Sequence, residues 1–174
     1  PEYAAATPTG NSHMDQAITH VLGLMDVVDN LYAKALHGLD PAELTQTPCD
    51  NSNPMLWMAG HLAQSRVRLA RLLGVEQEVP WPSLFTRGAP APAREEYPAL
   101  EEIRDAWEAA GKALRSRLRG MSDGELHGSL QVKIPSTDGT LRGAIVFALF
   151  HEGYHVGQMG YVRRTLGREG IAQI

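Results

Sequence analysis

Apolar residues recur at three- and four-residue steps in four stretches of the chain, the spacing that places them on one face of an α-helix. A glycine follows each stretch, which is typical of a helix C-terminus. The predicted helices are residues 15–36, 53–73, 99–118 and 140–166, and the glycines are Gly38, Gly74, Gly120 and Gly167. The second helix is expected to begin at Asn53-Pro54, with asparagine as its cap and proline in its first turn.

Four amphipathic helices of about this length predict an all-α fold, a four-helix bundle. The proline-rich stretch 75–98 lacks a helical period and is too long for a tight turn, so it predicts a long crossover between the second and third helices. Residues 130–134 alternate between apolar and polar, and Asp138-Gly139 follows them. This pattern predicts a short strand or hairpin before the fourth helix.

The composition is that of one domain, which we place at residues 14–174. Residues 1–13 are small and polar, and we interpret them as a tag with Met14 as the natural start; a disordered natural tail is the alternative. The chain has 16 basic and 20 acidic residues, a formal net charge of −4. This balance argues against nucleic acid as the main partner, since such domains usually carry a strongly basic face. The arginines at 66, 68, 71, 115, 117 and 119 are expected on solvated helix faces.

Cys49 is the single cysteine, so the chain has no internal disulfide, which fits a reducing compartment. The polar surroundings of Cys49 and the lack of a nearby histidine argue against a nucleophilic role. No apolar run is long enough to span a bilayer, and no signal peptide is recognisable. We therefore expect a cytoplasmic protein that does not associate with membranes.

His151 and His155 lie four residues apart in the fourth predicted helix, close to one turn, so both imidazoles leave the same face. The pair falls on the apolar stripe of that helix, where imidazoles without partners would be costly to bury. Such a pair is half of a transition-metal site.

A third ligand must come from another helix, and His61 is the best candidate because it borders the core about two turns into the second helix. Three neutral imidazoles plus water form the ligand set of an open, catalytic zinc-type site. Imidazole also suits nickel, iron and copper, so the residues alone do not name the metal. Zinc is the first expectation, with nickel, iron or manganese as alternatives. His20 could supply a fourth ligand or contact a bound substrate, or be a partly exposed helix residue. His37 and His127 are expected at the surface.

Residues 151–155 also match the H-E-x-x-H pattern of zinc metalloproteases, in which the glutamate is the general base. We reject a protease because those enzymes need a third ligand downstream, where Glu169 is the only candidate and lies past the helix end. Glu152 itself is either a general base or supporting residue of the metal site, or a solvent-exposed residue beside it.

The chain resembles the DinB/YfiT-like superfamily of metal-dependent proteins. The resemblance rests on Gly60-His61-Leu62, on His151-x-x-x-His155 with Gly157-Gln158, and on the closing 163–167 segment. It implies an up-down-down-up four-helix bundle with a long crossover, metal ligation by His61, His151 and His155, and a homodimer. Some relatives are transferases or isomerases that use low-molecular-weight bacterial thiols.

The leading functional hypothesis is therefore a metal-dependent S-transferase that joins a small thiol to an electrophilic small molecule. Candidate catalytic residues are Glu152, Gln158 and Tyr154, and Trp57 could wall the pocket. Ordinary core or interface packing is the alternative for Gln158, Tyr154 and Trp57. A metal-assisted hydrolase and a non-enzymatic stress-response protein that binds a metal or small ligand are the alternatives.

Overall fold

The protein is described by a computed structural model, which defines residues 12–50, 52–85, 88, 92–132, 134 and 138–172. This part of the chain is all-helical and contains no strand. Its six α-helices are α1 (Ser12–Leu36), α2 (Pro41–Thr45), α3 (Met55–Leu72), α4 (Leu100–Arg119), α5 (Asp123–Leu126) and α6 (Leu141–Thr165), with one turn of 3-10 helix at Arg94–Glu96. The interpretation of residues 1–13 as a tag falls mainly on residues outside the described ranges.

The four long helices α1, α3, α4 and α6 confirm the helices predicted from the apolar period, with ends that differ by three residues at most. The predicted cap of α3 was wrong by one residue. Pro54, not Asn53, is the capping position, and its carbonyl accepts a hydrogen bond from the Met58 N–H at 3.2 Å. Thr140 caps α6 by accepting a hydrogen bond from the Gly143 N–H.

The sequence interpretation missed the short helices α2 and α5, which have no room for a helical period. Each begins with a capping box, in which the cap side chain and a glutamate three residues later bond each other's backbone N–H groups. The pairs are Asp40 with Glu43 and Ser122 with Glu125. That four-residue signal was present in the sequence.

Two clusters of buried apolar residues hold the long helices together. The first combines residues 28–36 of α1, 55–63 of α3, 103–107 of α4 and 156–162 of α6. The second combines Met25 of α1 with residues 69–73, 114–118 and 145–149. Helix α3 packs against α4 and α6, and α6 packs against α1. The histidines of α6 therefore fall between the residues that this helix gives to the two clusters.

The proline-rich connection between α3 and α4 is anchored on α3. The Gln64 side-chain amide donates hydrogen bonds to the Pro80 and Trp81 carbonyls at 3.2 and 2.9 Å. Phe85 is fully buried, and its ring lies against Gly60, where a Cβ would come within 2.2 Å of a ring carbon. Glycine at position 60 is therefore needed for the connection to close onto the helix.

The predicted hairpin at 130–134 was wrong for the described residues. In place of a hairpin, a single antiparallel bridge joins Ser129 to Thr140 on either side of this segment. The Leu130 N–H donates to the Gly139 carbonyl at 2.8 Å. A two-stranded hairpin alone is only marginally stable in water, and no third strand is available here in the described residues. Lys133 and residues 135–137 lie outside the described part.

None of the helices in the described ranges combines the length and the apolar character that a membrane span requires.

Candidate metal centre

His61 is fixed by contacts on both sides of its ring. It lies in the second turn of α3, is 8% exposed, and stacks on the Trp57 indole with ring centroids 4.8 Å apart. Its Nδ1 lies 2.9 Å from the Phe85 carbonyl oxygen. Since a carbonyl only accepts, Nδ1 carries the proton and Nε2 presents its lone pair. The backbone of the crossover thus sets the tautomer of His61, as a supporting carbonyl does in many metal sites.

His151 and His155 project from the same face of α6, as their spacing predicted, and both are half-buried. Their ring centroids lie 4.6 Å apart. The Nδ1 of His155 donates to Gln158 Oε1 at 2.7 Å, which leaves the Nε2 of His155 with its lone pair available. The same helix therefore provides both His155 and the residue that orients its ring.

The three imidazoles converge, as predicted from the sequence. One ligand nitrogen from each of His61, His151 and His155 lies within 4.8 Å of the other two, and the Nε2 atoms of His61 and His151 are 3.2 Å apart. Two nitrogens bound to tetrahedral zinc are separated by about 3.3 Å, given Zn–N bonds of about 2.0 Å. The separation of the His61 and His151 nitrogens is therefore that of two ligands on one ion, and the three residues together could hold a metal ion.

The electrostatics favour neutral imidazoles, the form that binds metals. Burial lowers the pKa of His61 below its ordinary value; the hydrogen bond to Phe85 raises it by less, and the charge of Arg68 lowers it again. Burial likewise lowers the pKa of His155, and the neighbouring His61 adds to that effect. Both rings are therefore poised to offer lone pairs at neutral pH.

Glu152 is buried, at 2% exposure, so the interpretation of this residue as solvent-exposed was wrong. Its two carboxylate oxygens accept hydrogen bonds from Arg66 Nε and Nη2 at 2.8 and 2.6 Å. Arg66 also donates to Asp29 at 2.6 Å, and its guanidinium lies 3.3 Å from the centre of the Trp107 ring. A bidentate pair of this kind satisfies both charges, which is why they are tolerated in the core.

The prediction that the arginines lie on solvated faces was wrong for Arg66, which is 1% exposed, and Arg115 is only half-exposed because it pairs with Asp26 and Asp29. It was confirmed for Arg68 and Arg71. The difference arises because Arg66 faces α6 and α1, where it forms ion pairs with Glu152 and Asp29.

The remaining candidates take separate positions. Gln158 donates to the Tyr154 hydroxyl at 3.2 Å, so both residues continue outward from His155. Trp57 is buried and its indole stacks on the His61 ring. The role of Trp57 as a pocket wall stays a prediction. His20 is exposed and lies outside the histidine cluster, which agrees with the alternative of an exposed helix residue. The exposed positions of His37 and His127 confirm the prediction for these two residues.

A sequence model of the DinB superfamily matches residues 24–159. The chain belongs to the DinB superfamily. All three histidines of the candidate metal centre lie within the matched DinB region. Helices α3 and α4 lie wholly inside it, and α1 and α6 lie partly inside it.

No curated protein matches this DinB sequence. Among solved structures, a conserved protein from Enterococcus faecalis is similar, with a TM-score of 0.69 and 17% sequence identity over 86% of this chain and 97% of that chain. At this level of identity the likeness shows the fold alone.

A cavity of about 620 Å³ lies between α3 and α6 and has His151 among its lining residues. Its other walls include Leu69, Leu72, Ala144 and Phe147. A small molecule in this cavity would lie against His151, one of the three clustered histidines, and the volume is typical of ligand sites in proteins.

Proposed function

We propose that this protein is a metal-dependent enzyme of the thiol S-transferase type, with His61, His151 and His155 as ligands of a divalent metal ion. The observation that carries the proposal is the convergence of three imidazoles at coordination distance beside a cavity. Three protein ligands leave a position for an exogenous group, whereas a structural zinc site would use four. We propose zinc as the metal, since neutral imidazoles suit it and its geometry is tetrahedral.

A bound divalent ion would supply positive charge that lowers the pKa of a coordinated thiol. The protein's own part is to hold the ligand lone pairs in place. Phe85 fixes the His61 tautomer, and Gln158 fixes that of His155. In the proposed reaction the thiol sulfur forms a bond to the electrophilic carbon, the leaving group departs with its electron pair, and the thiol proton passes to water.

We further propose supporting roles for the other candidate residues. Gln158 and Tyr154 form an exposed hydrogen-bonded pair next to His155, suited to orient a polar substrate group. Glu152 could act as a general base only if its pair with Arg66 opened, because both of its oxygens accept hydrogen bonds from Arg66. Its proposed role is therefore to position α6 against α3.

For the fold, we propose the up-down-down-up order of the long helices. It is supported by the two core clusters: the first draws on late residues of α1 and α6 and early residues of α3 and α4. The second draws on early residues of α1 and α6 and late residues of α3 and α4. This distribution fits α1 and α6 in one direction and α3 and α4 in the other.

We also propose a homodimer and a cytoplasmic, stress-related role. Val146, Phe150 and Tyr154 form a stripe of exposed large side chains on α6 at four-residue steps, which is suited to contact a second copy. A reducing compartment, to which the single cysteine points, keeps small thiols available as cosubstrates.

The experiment mixes zinc-loaded protein with cysteine, glutathione and bacterial low-molecular-weight thiols in turn, together with 1-chloro-2,4-dinitrobenzene as the electrophile. We expect thioether formation that needs both metal and thiol and that is lost in His155→Ala. A Cys49→Ser variant is the control and should retain activity. Absence of turnover with every thiol would contradict the proposal.

A metal-assisted hydrolase is the second candidate, favoured by the same open coordination position, at which water could bind with a pKa near 7. Hydrolysis of an activated ester by the zinc-loaded protein without any thiol would identify it. The third candidate is a stress-response protein that binds a metal or small ligand without catalysis; the cavity beside His151 argues for an enzyme instead.

A further inference from the structure

The cavity between α3 and α6 is lined by apolar side chains over its floor and by basic or imidazole side chains at its edges. Its floor is apolar, formed by Leu69 and Leu72 of α3 and by Ala144, Phe147 and Ala148 of α6. His151 lies at one end, next to the candidate metal centre. The side chains of Arg68 and Arg71 complete the wall on the α3 side.

The two arginines form a concentrated positive edge. They lie three residues apart on α3 and are therefore neighbours on its surface. Both are exposed, and among the described residues neither side chain forms an ion pair or a hydrogen bond. No described residue that lines the cavity is acidic, although acidic residues outnumber basic ones in the chain, 20 to 16.

We infer that this cavity binds a small organic anion with an apolar body, whose anionic group is held by Arg68 and Arg71 and whose other end reaches His151. Guanidinium groups pair well with planar or multidentate oxyanions, and a carboxylate and a phosphate ester share that chemistry. The apolar floor would hold the body of the molecule. This inference rests on the proposed function only in treating the His151 end as the reactive end.

The dimensions limit the size of the ligand. Arg68 is seven residues beyond His61 on the same helix, a separation of about 10 Å along the axis. A volume of about 620 Å³ accommodates a small molecule and excludes a folded partner. Octanoate is a suitable probe, since its extended chain is comparable to this length and it carries one terminal carboxylate.

The test compares the binding of octanoate, octyl phosphate and octanol by isothermal titration calorimetry. Wild-type protein should bind the better of the two anions about tenfold more tightly than octanol, as expected for two partly exposed charged hydrogen bonds. An Arg68→Gln/Arg71→Gln double variant should lose that preference, while Arg119→Gln, an exposed arginine of α4, should keep it. Ala148→Trp should weaken the binding of all three probes by filling the floor.

The outcomes decide the inference. A preference for octanoate assigns a carboxylate ligand and a preference for octyl phosphate assigns a phosphate ester, and both support it. Equal binding of anions and octanol, no binding of any probe, or a preference that survives the double variant overturns it. Circular dichroism of each variant checks that the helices are retained.

Repeating the titrations on chelator-treated protein separates this inference from the proposed function. Arg68 and Arg71 do not depend on a metal ion, so the preference for the anion should persist without one. Should the protein bind no zinc and yet prefer the anion, the proposed function fails and the cavity assignment stands. Should it bind zinc and show no preference, the cavity assignment fails and the metal centre stands.

Discussion

The Nε2 atoms of His61 and His151 lie 3.2 Å apart, although 90 residues separate the two histidines in the sequence. In the absence of a cation, this contact is a hydrogen bond from one imidazole to the lone pair of the other. With a cation, both nitrogens would present lone pairs to it. The same geometry therefore satisfies both imidazoles without a metal ion and provides a preformed coordination site.

Gly60 links the packing of the crossover to the metal centre, so its substitution should affect both. In Gly60→Ala the new Cβ would lie 2.2 to 2.5 Å from three carbons of the Phe85 ring, which must move. We expect a loss of about 1–3 kcal/mol in unfolding free energy, as for overpacked cores. Zinc affinity should also fall, because Phe85 holds the His61 tautomer.

The matched control is Gly23→Ala, a helical glycine of α1 around which no atom lies within 4 Å of the added Cβ. Its stability should stay level or rise by up to about 1 kcal/mol from helix propensity. Urea denaturation of both variants measures the difference. An unchanged midpoint for Gly60→Ala would show that Phe85 does not need this close approach.

The buried Arg66–Glu152 pair should be among the most costly interactions to break. Arg66→Met would leave the Glu152 carboxylate without its two hydrogen bonds inside the protein. We expect a loss of about 3–5 kcal/mol, against at most about 0.5 kcal/mol for the exposed control Arg119→Met. Chemical denaturation at neutral pH measures both, and similar values for the two variants would contradict the account.

Gln158 should tune the metal affinity without being a ligand. Gln158→Leu removes the acceptor of the His155 Nδ1 proton, and we expect zinc affinity to fall about 10- to 100-fold. Gln158→Glu retains an acceptor and should preserve the affinity. Gln46→Leu, at an exposed position far along the chain, is the control. Competition with a chromogenic chelator gives the affinities, and equal values for Leu and Glu at position 158 would exclude this role.

Glu125 should make the stability of the α5 region depend on pH. Hydrogen bonds from Ser122 and Arg117 lower the pKa of Glu125 from 4.5 to about 2 in the folded protein. A lowered folded-state pKa means that the contribution is present above the ordinary value and is lost as the pH falls towards the folded value. The difference in Tm between wild type and Glu125→Gln should therefore be present at pH 7 and shrink towards zero near pH 2. Glu108→Gln, on the exposed face of α4, should show no such trend.

The long helices could be predicted from the sequence because each repeats its apolar period over at least 18 residues. The short helices α2 and α5 have five and four residues, which is too few for an apolar period. Their capping boxes are the only sequence signal that predicts them. The alternation at 130–134 resembles a strand, but a strand also needs a partner of its own length. Local sequence patterns therefore predict an element correctly where it is long. They fail where its formation depends on a partner strand elsewhere in the chain.

The candidate site likewise has features that the sequence predicts and features that it does not. The spacing of His151 and His155 and the apolar surroundings of His61 were enough to predict that the three histidines converge. The burial of Arg66 and Glu152 was not predictable, because a charged residue is placed outward until its counter-charge on another helix is known. The role of Phe85 was also hidden, since it acts through a backbone carbonyl that no sequence pattern reveals.

The most direct test of the account is a zinc titration of protein purified without a metal-affinity column, followed by isothermal calorimetry and elemental analysis. We predict one ion per chain for wild type and for His20→Ala, whose substituted histidine lies outside the cluster. His61→Ala and His155→Ala should each lose stoichiometric binding while retaining their helical content. Stoichiometric zinc in either variant, or none in the wild type, would contradict the convergence of α3 and α6 on a shared cation.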